Sequence, residues 1–361
     1  MKVRSFRGTK ARAAKLLVTA AVLATTRGYG YAADMPVKAP AATPFFTVND
    51  TSVSFTWYPS ATDPGVPGGS DVVPGGVAGE RNAFNKFVGT VTHFDVWKYG
   101  TNYFNLDFIQ SDKRDPIEGV AGANGAVEVY GLSRSTLGFN ELSGSKAFET
   151  VITKNVSFEW GGDANTENNG LAPEKKDIVV GLQFGLNLPG TVNFAVLAYK
   201  EWNHNNFLAC GATTTGIPCP VAAFGAFTGD REFHLIPRLE LQISEPLYFL
   251  KTQTPVTWNS FTGVNFPKGT GVSNANLLAM GGGAAVLANN ETKTEVFTDN
   301  RLTFDMLRWG INKPGIWETY VGYRYWYNKF GTDHNAPLFS LIAPGTSIES
   351  TAYLGTTYHF K

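Results

Sequence analysis

The chain has 361 residues, with 30 basic and 30 acidic side chains, 13% aromatics and 39 glycines. Seven basic residues and no acids fall in positions 1–32. The remaining 329 residues therefore carry 23 basic and 30 acidic groups, a net charge of −7 that argues against a nucleic-acid partner. That length suits one large domain or two, and 26 Phe, 14 Tyr and 8 Trp beside the glycines favour strands and turns over helices.

Residues 1–32 read as a secretory signal peptide. Lys2 to Lys15 supply the charged start, Leu16 to Ala24 the apolar run, and Gly30-Tyr31-Ala32 a small-x-small cleavage site. The apolar run is too short to cross ~30 Å of hydrocarbon as a helix. Residues 33–47, with Pro36, Pro40 and Pro44, read as an N-terminal tail lying in the periplasm or plugging the barrel formed by the rest of the chain.

From residue 48 to 361 the pattern is that of a β-barrel with long extracellular loops. Strand-like segments fall at 51–58, 86–98, 102–110, 127–139, 155–161, 176–187, 191–201, 232–244, 256–266, 294–306, 317–328 and 348–360. Twelve is an even number, as a closed single-chain barrel with both termini in the periplasm requires. Closure is needed because hydrocarbon cannot satisfy an open sheet edge. Gaps alternate in length. Long ones at 59–85, 111–126, 162–175, 202–231, 267–293 and 329–347 are expected outside, and mostly shorter ones, such as Gly100-Thr101 and 188–190, in the periplasm. Pro237 inside a strand marks a bulge or a break.

Alternation within the strands supports the same fold. Ala352, Leu354, Thr356, Tyr358 and Phe360 share one face of the closing strand, and Thr351, Tyr353, Gly355, Thr357 and His359 the other. Ile178, Val180 and Leu182 oppose Val179, Gly181 and Gln183, while Leu239 and Leu241 oppose Arg238 and Glu240. The expectation is an all-β, twelve-stranded antiparallel transmembrane barrel in the bacterial outer membrane. Lipid surrounds it, and the aromatic-ended closing strand is the handle for the barrel-assembly machinery.

Arg or Lys facing lipid at mid-depth costs roughly 2–4 kcal/mol, so charges on the strands are expected to point inward. The candidate lining groups are His93, Asp95, Tyr103, Asp107, Glu128, Arg134, Arg238, Glu240, Asp299, Arg301, Glu318 and Arg324. Glu159, Asp305 and His359 fall in the same phase, as do Trp97, Tyr130, Tyr199, Tyr320, Trp326 and Tyr353. Such residues either brace a narrow barrel or contact a solute. The aromatics can stack on a planar solute or belong to the interfacial girdles. Cys210 and Cys219, which enclose eight residues of a loop, suggest a disulfide in an exported chain; two free thiols are the alternative, and further zinc ligands are not evident. No phosphate-binding loop or redox motif is present, so neither cofactor nor metal is expected, and passage of a solute through such a barrel is expected to be passive.

Several stretches resemble a known family. Thr90-Val-Thr-His-Phe-Asp-Val-Trp-Lys-Tyr-Gly-Thr-Asn-Tyr-Phe-Asn-Leu-Asp-Phe-Ile-Gln-Ser-Asp112 looks like the early signature of nucleoside-specific channel-forming outer-membrane proteins, the Tsx-like group. Val127-Glu-Val-Tyr-Gly-Leu-Ser-Arg134, Leu142-Ser-Gly144, Asn328-Lys-Phe-Gly331 and the closing strand are similar to its later segments. Thr101 stands where that family has Asp, and Asn105 interrupts its aromatic run. The resemblance implies a twelve-stranded barrel passing nucleosides. It carries His93, Asp95, Tyr103 and Asp107, then Glu128 and Arg134, to the pore region. A general diffusion porin is the alternative, as is an adhesin or receptor acting through loops 59–85, 202–231 and 267–293. An outer-membrane lipase is disfavoured because no His is followed two positions later by Ser.

Overall fold

The computed structural model describes residues 44–64, 83–115, 125–167, 174–204, 230–247, 256–271, 291–311, 313–334 and 347–360. The segments read as signal peptide and most of the tail lie outside these residues, as do Cys210 and Cys219. Phe45–Lys361 forms a unit of its own, the barrel.

Thirteen strand segments build it: β1 (Phe46–Ala61), β2 (Phe84–Trp97), β3 (Gly100–Ser111), β4 (Val127–Gly138), β5 (Thr153–Glu167), β6 (Glu174–Leu186), β7 (Thr191–His204), β8 (Asp230–Glu232), β9 (Ile236–Pro246), β10 (Val256–Asn265), β11 (Glu295–Asp305), β12 (Trp317–Tyr327) and β13 (Glu349–Phe360). Each pairs antiparallel with its neighbours, β1 with β13 and β6 with β7, so the sheet returns on itself. β8 and β9 both pair with β7 and form one stave interrupted at Phe233–Leu235, which makes twelve staves. The interruption has local causes. Phe233 is fully buried and its N–H donates to the Glu201 carbonyl, while the His234 N–H leaves the ladder for the Lys268 carbonyl. Pro237, just beyond, pairs with Ala198 but has no N–H to give the ladder.

The apolar side of each stave faces out. Phe55, Phe108, Ile178, Val321, Leu354 and Phe360 are all more than half exposed, whereas Ser52, Glu159, Asp177, Glu240 and Thr351 are buried. Pairing keeps the phase across strands: Val321 opposes Leu354, which opposes Trp57, all on the outer face. A closed sheet with oily side chains outside and ionic ones inside is the wall of an outer-membrane barrel. At one rim two short helices, α1 (Phe139–Ser143) and α2 (Met306–Ile311), follow β4 and β11. β1 begins at Phe46, two residues before the barrel start read from sequence.

At the opposite rim a 3-10 turn, Lys329–Gly331, lies just beyond β12. Asn328 (φ 50°) and Phe330 (φ 60°) are the non-glycine residues with left-handed backbone among those described, a conformation that persists where surrounding contacts hold it. Lys329 is that contact. Its buried ammonium lies 2.5 Å from both Asp63 and Glu349 and donates to the Thr62 carbonyl at 3.0 Å. Lys86 also reaches Asp63, at 3.2 Å. Burial works against the charge on Asp63, yet the two lysines hold its carboxyl below the usual range.

Candidate functional site: the lumen

The inner face is ionic, and one contact crosses it. Arg134 on β4 donates to Glu240 on β9 at 3.2 Å, although β5, β6 and β7 lie between them in the sheet. The bond is therefore a chord through the barrel. Arg238 shares Glu240 at 2.5 Å and donates to Asn265 at 2.7 Å; Asn265 and Trp326 both donate to Glu295. Glu159 stands 4.0 Å from Arg134 and accepts from Gln183. Arg134, Glu159, Arg238 and Glu240 are buried, so the side of the lumen lined by β4 to β9 is filled. A buried ion pair of this kind is held by geometry and by its further hydrogen bonds rather than by charge attraction alone.

The wall formed by β11, β12, β13 and β1 is tiled with tyrosines. Tyr320 packs over Gly355 and Tyr353 over Gly322, where a Cβ would strike the rings. Tyr320 shares a hydrogen bond of 2.6 Å with Thr56, and Tyr353 donates to Asp299. Arg324 donates to Asp299 at 2.9 Å and stacks on Tyr58 at 4.7 Å. Arg301 stacks on Tyr320 at 5.2 Å.

Between this wall and β3 the lumen is open. Tyr103 faces inward yet is 37% exposed, and Arg301 is exposed as well. Five steps of the twelve-stave ring separate β3 from β11, so the two residues stand on nearly opposite walls. Asp107, on the same face of β3 as Tyr103, accepts from Thr90 and Asn105, each at 2.7 Å.

Most sequence candidates point inward: Tyr103, Asp107, Glu128, Arg134, Arg238, Glu240, Asp299, Arg301, Glu318 and Arg324 share faces with the buried polar groups. Glu128 accepts from Asn165 at 2.8 Å, and Glu318 lies 3.5 Å from His359, which also contacts Asp50 at 2.8 Å. Asp305 accepts from the backbone N–H groups of Arg308 and Gly315 and so braces the α2 turn.

His93 and Asp95 differ from expectation. His93 pairs with Phe104 and with Thr51, and Asp95 with Asn102, all on the outer phase with Val53, Val91 and Phe108. Trp97 shares that phase. Thr90, Thr92 and Phe94 take the inner positions instead. The outward charge is tolerable because Asp95 sits two residues from the strand end, where the penalty falls to ~0–1 kcal/mol. Asp95 also accepts from Asn102 at 2.9 Å and lies 3.5 Å from His93.

Several inner groups lie outside the set that sequence alternation identifies. Lys175 lies 2.9 Å from Asp163 and 2.8 Å from Asp177, and Lys268 pairs with Glu201. Asp163 and Lys175 fall in an expected loop because β5 and β6 extend further than their apolar alternation does. An alternation of polar and small residues, Gly161-Gly-Asp-Ala-Asn165, is the signal that marks the extension.

No protein-family model matches the chain, and no curated protein matches it. Solved structures show only a distant likeness. An outer-membrane channel from Pseudomonas putida F1 aligns at 10% identity and TM-score 0.43, over 88% of this chain and 97% of that one. OccK1 (OpdK) of Pseudomonas aeruginosa aligns at 7% and 0.31, over 88% and 100%. The translocator domain of the autotransporter NalP from Neisseria meningitidis aligns at 9% and 0.31, over 87% and 89%. The closed strand pairing together with the apolar outer and ionic inner faces establishes the chain as a twelve-stranded outer-membrane β-barrel.

Proposed function

We propose that the protein is a passive outer-membrane channel for small hydrophilic solutes. The observation that carries this reading is the open strip between β3 and β11, where the inward-facing Tyr103 and Arg301 are both solvent-exposed. A merely braced barrel would bury them, as the opposite half buries Arg134 and Tyr199. Gradients drive the solute, and no catalytic step is involved. Membrane insertion runs through the assembly machinery at β13.

The finer proposal is that nucleosides are among the solutes. The exposed ring of Tyr103 supports base stacking, worth ~1–3 kcal/mol. Asn105 and Asp107 supply hydrogen-bonding groups on the same face. General diffusion is the second reading, supported by the ionic rather than shape-specific lining. Conductance in planar bilayers, with adenosine, thymidine, sugars and amino acids added in turn, tests both. Concentration-dependent block by nucleosides alone favours the finer proposal. Equal passage of all solutes favours a general pore, and absence of conductance refutes a channel.

A further inference from the structure

Arg134, Arg238 and Arg324 each lie within 4 Å of a carboxylate. Arg301 does not. Among the described residues it makes no ion pair; it rests on Tyr320 by a cation–π contact, and the residue is solvent-exposed on the inward face of β11. Tyr320 is itself fixed by Thr56 and by Gly355, so the arginine is held in place without being neutralised. On the facing wall Asp107 has hydrogen bonds from Thr90 and Asn105 but, among the described residues, no cation within ion-pair distance. The exposed ring of Tyr103 lies two inward positions away along β3, with Asn105 between them donating to Asp107 and accepting from the Tyr103 hydroxyl. The open strip thus presents an arginine without an ion pair on one wall, a carboxylate without an ion pair on the other, and an aromatic face on the carboxylate's own strand.

We propose that Arg301 and Asp107 form a selectivity pair for small zwitterions, with Tyr103 taking the apolar part of the solute. A monoanion gains Arg301 but meets Asp107 and the other carboxylates of the lumen, and a monocation gains Asp107 but meets Arg301. A net-neutral solute with separated charges gains at both walls and is not opposed by either. The inference rests on the channel reading and is independent of the nucleoside preference.

Block of single-channel current by phenylalanine, 3-phenylpropionate and phenethylamine compares the zwitterion, the anion and the cation of one ring. Phenylalanine is expected to block at a concentration about tenfold below either monoion, the factor one modest charge-assisted contact supplies. Arg301→Gln and Asp107→Asn, each verified as folded by heat-modifiable gel mobility, should each erase that preference. His93→Leu, which removes an ionisable group from the outer wall, should retain it. Equal block by the three probes, stronger block by a monoion, or a preference surviving Arg301→Gln overturns the zwitterion proposal and leaves the channel standing. Failure of the wild-type protein to conduct overturns both.

Discussion

Replacing Lys329 by Met tests whether the rim beyond β12 is held by one buried cation. The ammonium touches Asp63, Glu349 and the Thr62 carbonyl, so it ties β1, β13 and the turn after β12 together. Asp63 keeps Lys86 after the substitution, but Glu349, 1% exposed, has no second cation within ion-pair distance among the described residues. Stranding one buried carboxylate costs about 3–5 kcal/mol. The rim is expected to open before the barrel does. Limited proteolysis in lipid vesicles should cut near residues 328–334, and Trp326, whose ring lies 4.6 Å from the ammonium, should change its fluorescence. Adding Glu349→Gln removes the stranded charge and should recover most of the loss. If Lys329→Met alone leaves proteolysis and unfolding unchanged, or if the double variant is worse, that cation does not hold the rim. The pH dependence has a definite sign. The folded-state pKa of Asp63 lies below its ordinary 3.8. Its stabilising contribution is therefore complete above that value and is lost as pH falls through the lower folded one. Proteolysis of the rim should rise only in that acid range.

The same geometry sets the outcome of three further substitutions. Val321→Arg, on the lipid face of β12, should lower the barrel's stability by ~2–4 kcal/mol if that position lies near mid-depth, as read from urea unfolding in vesicles; a neutral effect would place the residue outside the hydrocarbon. Gly355→Ala should displace Tyr320 and cost ~1–3 kcal/mol, and it should also free Arg301 from its stack, which solute block would detect. Arg134→Met cuts the chord to Glu240 and should raise single-channel conductance by loosening the filled half of the lumen; unchanged conductance would show that the chord does not limit the path.

Much of the wall is legible in the chain because strand alternation is a local property. The closing strand shows its two faces in Ala352–Phe360 without any knowledge of partners, and the twelve staves coincide with twelve segments located by alternation and gap length. Where both phases of a strand carry polar groups, local pattern is ambiguous. In β2 Thr90 and Thr92 compete with His93 and Asp95, and only pairing with Phe104 and Val53 resolves which set meets lipid. β5 and β6 look shorter in sequence than they are for a related reason, since glycine and aspartate weaken the apolar signal where the staves rise above the hydrocarbon.

The sequence by itself determined the number of staves, their approximate limits and the ionic character of the interior, since each depends on side-chain period and transfer energy along one strand. Tertiary structure decided what meets across the barrel: Arg134 with Glu240, Lys329 with Asp63 and Glu349, and Arg301 opposite Tyr103. Those contacts depend on register and closure, which sum over every stave between the partners, so no stretch of chain encodes them alone.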